Sequence, residues 1–377
     1  MKLYSIVVTH YNQMEFIYEA LDSVFKQNYP NIELIVTDDK SKSFDKKTVI
    51  DYIEKKKKKN ITNYIIIAND TNLGTTKTLN KAIKKSNGDY IQFFAADDAL
   101  YDENVITNFV NALENSEEFV VSSQCYLCGT TLDDKQGKYV PTKLAKSLNN
   151  KSAKEQYVEV AKRCLYGAGA TAYKKEIFKK VGLFDESFKL VEDWSYYLLL
   201  TLNGYKIKYV DFVSFLHRSG GVSHYEKGDL PPHVRQYQND ILNIFEKLVL
   251  SQLDSLDPRT AGELFSKYIL HVEMFSEKDQ SIVQKKTPII KKLKQRNKLL
   301  SIYILINKIM AIMHTQIFHT LMYIVFFTTL IDIFISYAFN LDYKYVLIHI
   351  ISYVVALITI KVLKIIKRRL GLWVIFL

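Results

Sequence analysis

The chain has 377 residues, 48% of them hydrophobic and 13% aromatic, enough for one full catalytic domain and something beyond it. Its formal charge of +11, from 51 Lys+Arg against 40 Asp+Glu, suits an anionic partner such as nucleotide phosphates or the acidic inner leaflet of a membrane. No recognisable nucleic-acid-binding module accompanies that charge, so nucleic acid is not an expected partner. Cys125, Cys128 and Cys164 are the only cysteines, which argues against a disulfide-stapled secreted domain.

In chain order, Met1-Lys-Leu-Tyr-Ser-Ile-Val-Val-Thr is too short an apolar run for a secretory leader and reads as a strand, so the N-terminal domain is expected to stay in the cytosol. Tyr4–Thr9, Ile32–Asp38, Tyr64–Ala68, Tyr90–Ala95 and Phe119–Ser123 are strand candidates. The central ones are nearly continuous in apolar residues, as parallel strands covered on both faces are. Between the first two, Phe16, Ile17, Ala20, Leu21, Val24 and Phe25 recur at helical spacing, with Asn12 and Glu15 placed as an N-cap and capping box. This alternation predicts an α/β domain with a mostly parallel sheet. Neither GxGxxG nor a Walker pattern follows the first strand. The run Lys55–Lys59 reads as a solvated helix end. Cys125-Tyr-Leu-Cys128 sits on a strand-like run and lacks the second pair that a zinc site needs, so it reads as buried strand cysteines.

From 150 to 225 the pattern is irregular, with Gly167-Ala-Gly-Ala170 and Ser219-Gly-Gly-Val-Ser223 marking loops around a short helix near Lys174–Val181, and a second helix starting near Asp193. Residues 232–275 read as amphipathic helices, followed by a basic stretch, Lys285–Lys298, and an apolar run, Leu299–Met313. Ile317–Phe339 is long enough, at ~1.5 Å per residue, to cross a bilayer core of about 30 Å. Tyr343–Ile360 is a second apolar stretch after the short link Asn340-Leu-Asp342, and lysines and arginines flank both. The expectation is a transmembrane hairpin with both ends cytoplasmic. The expected divisions are 1–225 catalytic, 226–315 helical and membrane-proximal, 316–366 hairpin, and 367–377 tail.

The chemistry concentrates at strand ends. Asp97-Asp98 closes Tyr90-Ile-Gln-Phe-Phe-Ala-Ala, and two adjacent carboxylates repel each other unless a cation sits between them. A divalent metal holding a nucleotide diphosphate is the economical explanation; alone, the pair would equally suit a solvated turn. The Thr9–Asn12 and Asp38-Asp39 segments also fall at strand ends, where ligands of parallel sheets bind. Glu192-Asp193-Trp194 lies further on, and acidic residues there would also complement a helix dipole.

Taken together these motifs resemble the inverting, nucleotide-sugar-dependent glycosyltransferases of family 2, which share the GT-A fold. The resemblance covers roughly residues 1–225. It rests on Ser5–Asn12, Ile35-Val-Thr-Asp-Asp-Lys-Ser41, Asn72-Leu-Gly74 with Asn80, Gly88–Asp98, and Gly182-Leu-Phe-Asp-Glu186 followed by Glu192-Asp193-Trp194. It implies that Thr9, Tyr11, Asn12 and Asp39 hold the nucleotide, Tyr11 stacking on the base and Asp39 accepting a base N–H. It implies that Asp97 and Asp98 face the ribose and a diphosphate-bound Mn²⁺ or Mg²⁺, and both are taken as ligands because Ala95 stands where many members have a third aspartate. Asp193 falls at the family's general-base position, and Arg218, after His217, where a basic loop closes over the diphosphate. No QxxRW pattern is present, so transfer of one sugar or few is expected, from a UDP-sugar to a saccharide acceptor that is lipid-linked, in surface-polysaccharide synthesis at the cytoplasmic membrane face. The competing expectations are a catalytically inactive GT-A-like membrane scaffold or sugar-nucleotide-binding protein, suggested by Ala95, and a nucleotidyltransferase, which would want a glycine-rich phosphate loop after Thr9.

Overall fold

The computed structural model describes residues 1–220, 231–276 and 281–296. They fall in two compact units, Met1–Ser251 and the segment from Gln252 onward. In the first unit the order is β1 (Tyr4–His10), α1 (Ile17–Phe25), β2 (Ile32–Asp38), α2 (Lys46–Lys56), β3 (Ile61–Ala68), α3 (Thr75–Lys85), β4 (Tyr90–Ala95), β5 (Ala99–Leu100) and α4 (Val105–Glu114). It continues with β6 (Val120–Cys128), β7 (Lys135–Lys138), α5 (Thr142–Leu148), α6 (Ala153–Lys162), β8 (Thr171–Lys174), α7 (Ile177–Lys180), α8 (Glu192–Leu202), β9 (Ile207–His217) and α9 (Pro232–Ile244). The second unit contains α10 (Pro258–Ser276) and α11 (Ser281–Arg296).

One nine-stranded sheet runs β3-β2-β1-β4-β8-β6-β9-β5, with β7 paired to β6. Its first half, β3-β2-β1-β4, is parallel as expected. The second half corrects the expectation of a mostly parallel sheet. There β8 is antiparallel to both β4 and β6, β5 to β9 and β7 to β6, whereas β6 and β9 are parallel. The antiparallel pairings come from the short strands β5, β7 and β8 and from the longer β9, none of which carries a long continuous apolar run.

All seven residues of β2 are buried, and the core gathers Ile6, Val8, Leu34, Val36 and Phe94 with Leu21 and Val24 of α1 and Phe109 of α4. The expected cap at Asn12 is not made. The helix begins at Ile17 without a side-chain cap, because Asn12 takes a left-handed φ of 56° and its side-chain oxygen accepts Lys42 N–H at 3.0 Å. Cys125 and Cys128 are free and buried on β6. Among the described residues no helix is long and apolar enough to cross a membrane; the expected hairpin at 316–366 lies outside the described residues.

The amino end of the sheet is held by one buried acid. Glu33 in β2 accepts Ser5 Oγ–H at 2.6 Å, Asn87 N–H at 2.8 Å, Asn87 Nδ2 at 2.7 Å and Asn63 Nδ2 at 3.1 Å. Ser5 Oγ in turn accepts Gly88 N–H at 2.9 Å, and a Cβ on Gly88 would stand 2.4 Å from that hydroxyl oxygen. Burial alone would raise the Glu33 carboxyl, but the Ser5, Asn87 and Asn63 donors outweigh it and hold it below the usual glutamate range. A depressed folded pKa means the stabilisation is present above the unfolded value of about 4.3 and is lost as pH falls through the folded value. Glu33→Ala is therefore expected to cost about 3 kcal/mol at pH 7, since it strands several buried donors. Urea melts should show this deficit shrinking in acid; a deficit independent of pH would assign the loss to the cavity instead.

Candidate active site

In-register pairing brings the strand ends together. His10 faces Asp38 across β1 and β2, and Thr9 faces Ala95 across β1 and β4. The chain turns immediately after Ala95, with Asp98 N–H donating to Ala95 O at 3.1 Å. β9 arrives beside this turn because Leu216 pairs with Ala99 and His217 with Leu127.

Behind the first turn lies a hydrogen-bonded network. Gln13 N–H donates to His10 Nε2 at 3.2 Å, so the ring's proton sits on Nδ1, which donates to Asp38 Oδ1 at 2.8 Å. Burial lowers the His10 pKa in spite of Asp38, which fits a neutral ring. Ser41 Oγ–H donates to Asp38 Oδ1 at 2.5 Å and accepts Asn12 N–H at 2.8 Å. Asp38 thus shapes the loop from which Asn12 and the half-exposed Tyr11 ring project. Thr9 stays on its strand and donates to Phe94 O at 3.2 Å.

Asp39 is buried, yet its carboxylate is well supplied with donors. Oδ1 accepts Asn69 Nδ2 at 2.9 Å and Leu73 N–H at 2.8 Å, and Oδ2 accepts Gly74 N–H at 2.8 Å. Two carboxylate oxygens offer about four acceptor positions, so one remains on Oδ2. Gly74, at a φ of 83°, opens α3. From that helix Asn80 Nδ2 donates to Phe184 O at 2.9 Å and to Glu186 Oε1 at 3.1 Å, tying the Asp39 loop to the chain that leads into α8.

At the end of β4, Asp98 is buried and Asp97 half-buried. Burial and the Asp98 charge push the Asp97 carboxyl up to about 6. Asp98 receives His217 Nδ1 at 3.1 Å and Arg218 N–H at 2.8 Å. Arg218 is itself buried, and its guanidinium is engaged within the protein. It donates to Asp97 O at 2.8 Å and Thr130 O at 2.6 Å, pairs with Glu19, and lies 4.3 Å from the Phe16 ring centre. Among the described residues no three His, Cys, Asp or Glu side chains converge as a metal cage. Two adjacent hard carboxylates, one of them pushed up by burial and by the other's charge, do fit a cation that takes its remaining ligands from phosphate.

Asp193 stands in the first turn of α8. Its Oδ1 accepts Trp194 N–H at 2.6 Å and its Oδ2 accepts the Cys164 thiol at 3.6 Å. The Trp194 indole N–H donates to Val160 O at 2.7 Å, and its ring meets Phe245 edge-on at 5.4 Å. Burial raises the pKa of Asp193, and burial with the Asp193 charge raises that of the neighbouring Glu192. His217 links the two acidic groups: burial opposes its charged form, but Asp98, Asp97 and Asp193 together raise its pKa. The structure thus brings Asp97, Asp98, Asp193, His217 and Arg218 around one end of the sheet, with Thr9, Tyr11, Asn12 and Asp39 along the neighbouring strand ends. Cys164 and Glu19 belong to this site without any sequence signal; they are single residues in segments that carry no motif.

Residues 5–182 match the model of glycosyl transferase family 2. The chain is 29% identical over 195 residues to an uncharacterised glycosyltransferase of Rickettsia typhi, covering 51% of this chain and 56% of that protein. It is 33% identical over 127 residues to UDP-Glc:alpha-D-GlcNAc-diphosphoundecaprenol beta-1,3-glucosyltransferase WfaP of Escherichia coli, covering 34% of this chain and 47% of that one. A crystal structure of S. aureus TarS 1-349 superposes with a TM-score of 0.47 at 19% identity, covering 80% of this chain and 89% of that one. The chain spans about half the length of the curated relatives it matches. The strand-end acids Asp38, Asp39, Asp97 and Asp98 all lie within the matched segment, and it is residues 5–182 of this chain that are similar to glycosyl transferase family 2.

Proposed function

We propose that this chain transfers a sugar from a nucleoside-diphosphate donor to an acceptor hydroxyl with inversion at the anomeric carbon. The observation that carries the reading is the acidic turn at the end of β4, where Asp98 accepts His217 Nδ1 at 3.1 Å and Arg218 N–H at 2.8 Å beside the half-buried Asp97. Asp193 is among the charges that raise the His217 pKa, which supports a base within electrostatic reach of that turn. Tyr11 presents a half-exposed ring for the base, and Asp39 keeps one acceptor position for a base N–H. Asp97 and Asp98 would hold Mn²⁺ or Mg²⁺, which when bound neutralises charge on the leaving diphosphate. Asp193, buried and raised, would accept the proton of the acceptor hydroxyl. The Arg218 guanidinium, already engaged with Asp97 O and Glu19, would act on the diphosphate chiefly by orienting the Asp97–Asp98 turn.

A UDP-sugar donor and a lipid-linked saccharide acceptor are favoured by the likeness to the E. coli relative, which is named for UDP-Glc and a diphosphoundecaprenol-linked sugar. The basic, apolar character of 285–377 favours work at the cytoplasmic face of a membrane, with surface polysaccharide as the product.

Asp193→Asn is expected to lower transfer by ~10²–10⁴ while leaving nucleotide binding intact, because an amide cannot take up the acceptor proton. Retention of a large share of activity would remove Asp193 from the base role. Since the base must be ionised and burial raises its pKa, the acid limb of the pH–rate profile should lie above the ordinary aspartate value of about 3.9. A limb at or below that value would contradict the assignment.

Replacing Asp97 or Asp98 with Ala should weaken UDP binding in the presence of Mn²⁺ by roughly 10–100-fold, the loss typical when a metal's supporting groups are removed. Calorimetric titration of UDP with and without Mn²⁺ checks this. Unchanged metal dependence in both variants would place the cation elsewhere.

A further inference from the structure

Asp240 lies on α9, beyond the segment 5–182 that matches the family, and it belongs to no motif. It is completely buried. A buried carboxylate persists only when donors replace its lost hydration, and the identity of the donors is informative. Oδ2 accepts Leu190 N–H at 2.7 Å and Oδ1 accepts Gln236 Nε2 at 2.8 Å. The residue before Leu190, Lys189, is held from another direction. Thr76 N–H donates to Lys189 O at 3.2 Å, and a Cβ on Gly74 would stand 3.0 Å from that carbonyl oxygen.

Lys189 and Leu190 lead directly into α8, whose N-terminal flank at Val191 supplies no side-chain cap. The direction in which α8 sets out is therefore fixed by backbone bonds at 189 and 190, one helical turn before Asp193. The carboxylate of Asp240 also lies close enough for its charge to act on Glu192. We propose that Asp240 is a positioning residue: it clamps the backbone at Leu190, next to the Lys189 carbonyl that Thr76 holds, so that Asp193 meets the acceptor hydroxyl in a fixed orientation. This rests on the reading of Asp193 as the base. It also makes α9 part of the catalytic apparatus.

The test uses the full chain in detergent, with two readouts. The first needs no substrate. The Cys164 thiol donates to Asp193 Oδ2, and burial together with the Asp193 charge holds its pKa well above the usual thiol range. Cys125 and Cys128 are buried, so iodoacetamide at pH 8 reads Cys164. If Asp240→Ala releases Asp193 from its place, the thiol loses its acidic neighbour and alkylation speeds up by about threefold or more. The second readout is hydrolysis of whichever of UDP-glucose, UDP-galactose and UDP-N-acetylglucosamine the wild type turns over fastest. There kcat should fall roughly 10–100-fold, as expected for a misplaced catalytic group, with UDP–Mn²⁺ affinity and donor KM unchanged.

Asp240→Asn keeps one carbonyl oxygen for Leu190 N–H, so both readouts should move in the same direction by less; this variant also stands in if the alanine protein fails to fold. Wild-type alkylation and kcat in the variants would overturn the proposal. So would equal losses of UDP binding and kcat, the mark of a general structural role. If Asp193→Asn keeps its turnover while Asp240→Ala still accelerates alkylation, the base reading fails and the clamp on residues 189–190 stands.

Discussion

Buried carboxylates must be met by hydrogen-bond donors or by positive charge, and that requirement sets the geometry of the first unit. Glu33, Asp38, Asp39, Asp98 and Asp240 each draw N–H or O–H groups from a segment distant in sequence. The cost of leaving any of them unanswered is large compared with the net stability of a domain. Each acid therefore acts as a fastening between two parts of the chain. Glu33 closes the amino end of the sheet, and the others organise its carboxyl end, where chemistry takes place.

The acids differ in how completely they are answered, and that difference separates scaffold from reactive group. Asp38 is occupied by His10 and Ser41, and Glu33 by four donor contacts. Asp97 is instead pushed upward by burial and by Asp98, and Asp193 has one backbone N–H and a weakly donating thiol. A carboxylate in such surroundings has unused capacity for a cation or a proton. Arg218 shows the opposite case. Its guanidinium is taken up by carbonyl oxygens and Glu19, so its positive charge serves the turn that carries the acidic pair.

Much of this was readable in the chain itself. β1, β2 and β4 are apolar on both faces, and that continuous pattern survives without knowledge of neighbours. The acids that follow them were placed at the ligand-binding end by topology alone. β9 did carry a partial signal, since Ile207, Tyr209, Ser214 and Phe215 are its buried positions, but it is broken by register shifts opposite Ser122, Gln124 and Cys125. β5 and β8 are too short for any period to show. Asn12 has the composition of a cap, yet a bond to the β2 loop, distant in sequence, claims its side chain. Cys164 and Asp240 lacked local signals because their meaning arises only from contact with Asp193 and with the backbone before it.

Trp194 follows Asp193 directly, its indole N–H on Val160 O and its ring edge-on to Phe245. The only other tryptophan in the chain is Trp373, outside the described residues. A buried indole one peptide bond from an ionising carboxylate is an optical probe already in place, because its emission responds to nearby charge and to the rigidity of its packing. With Trp373 replaced by Phe, tryptophan emission thus gives a label-free signal for ionisation at Asp193 and for any rearrangement among α6, α8 and the chain that follows α9.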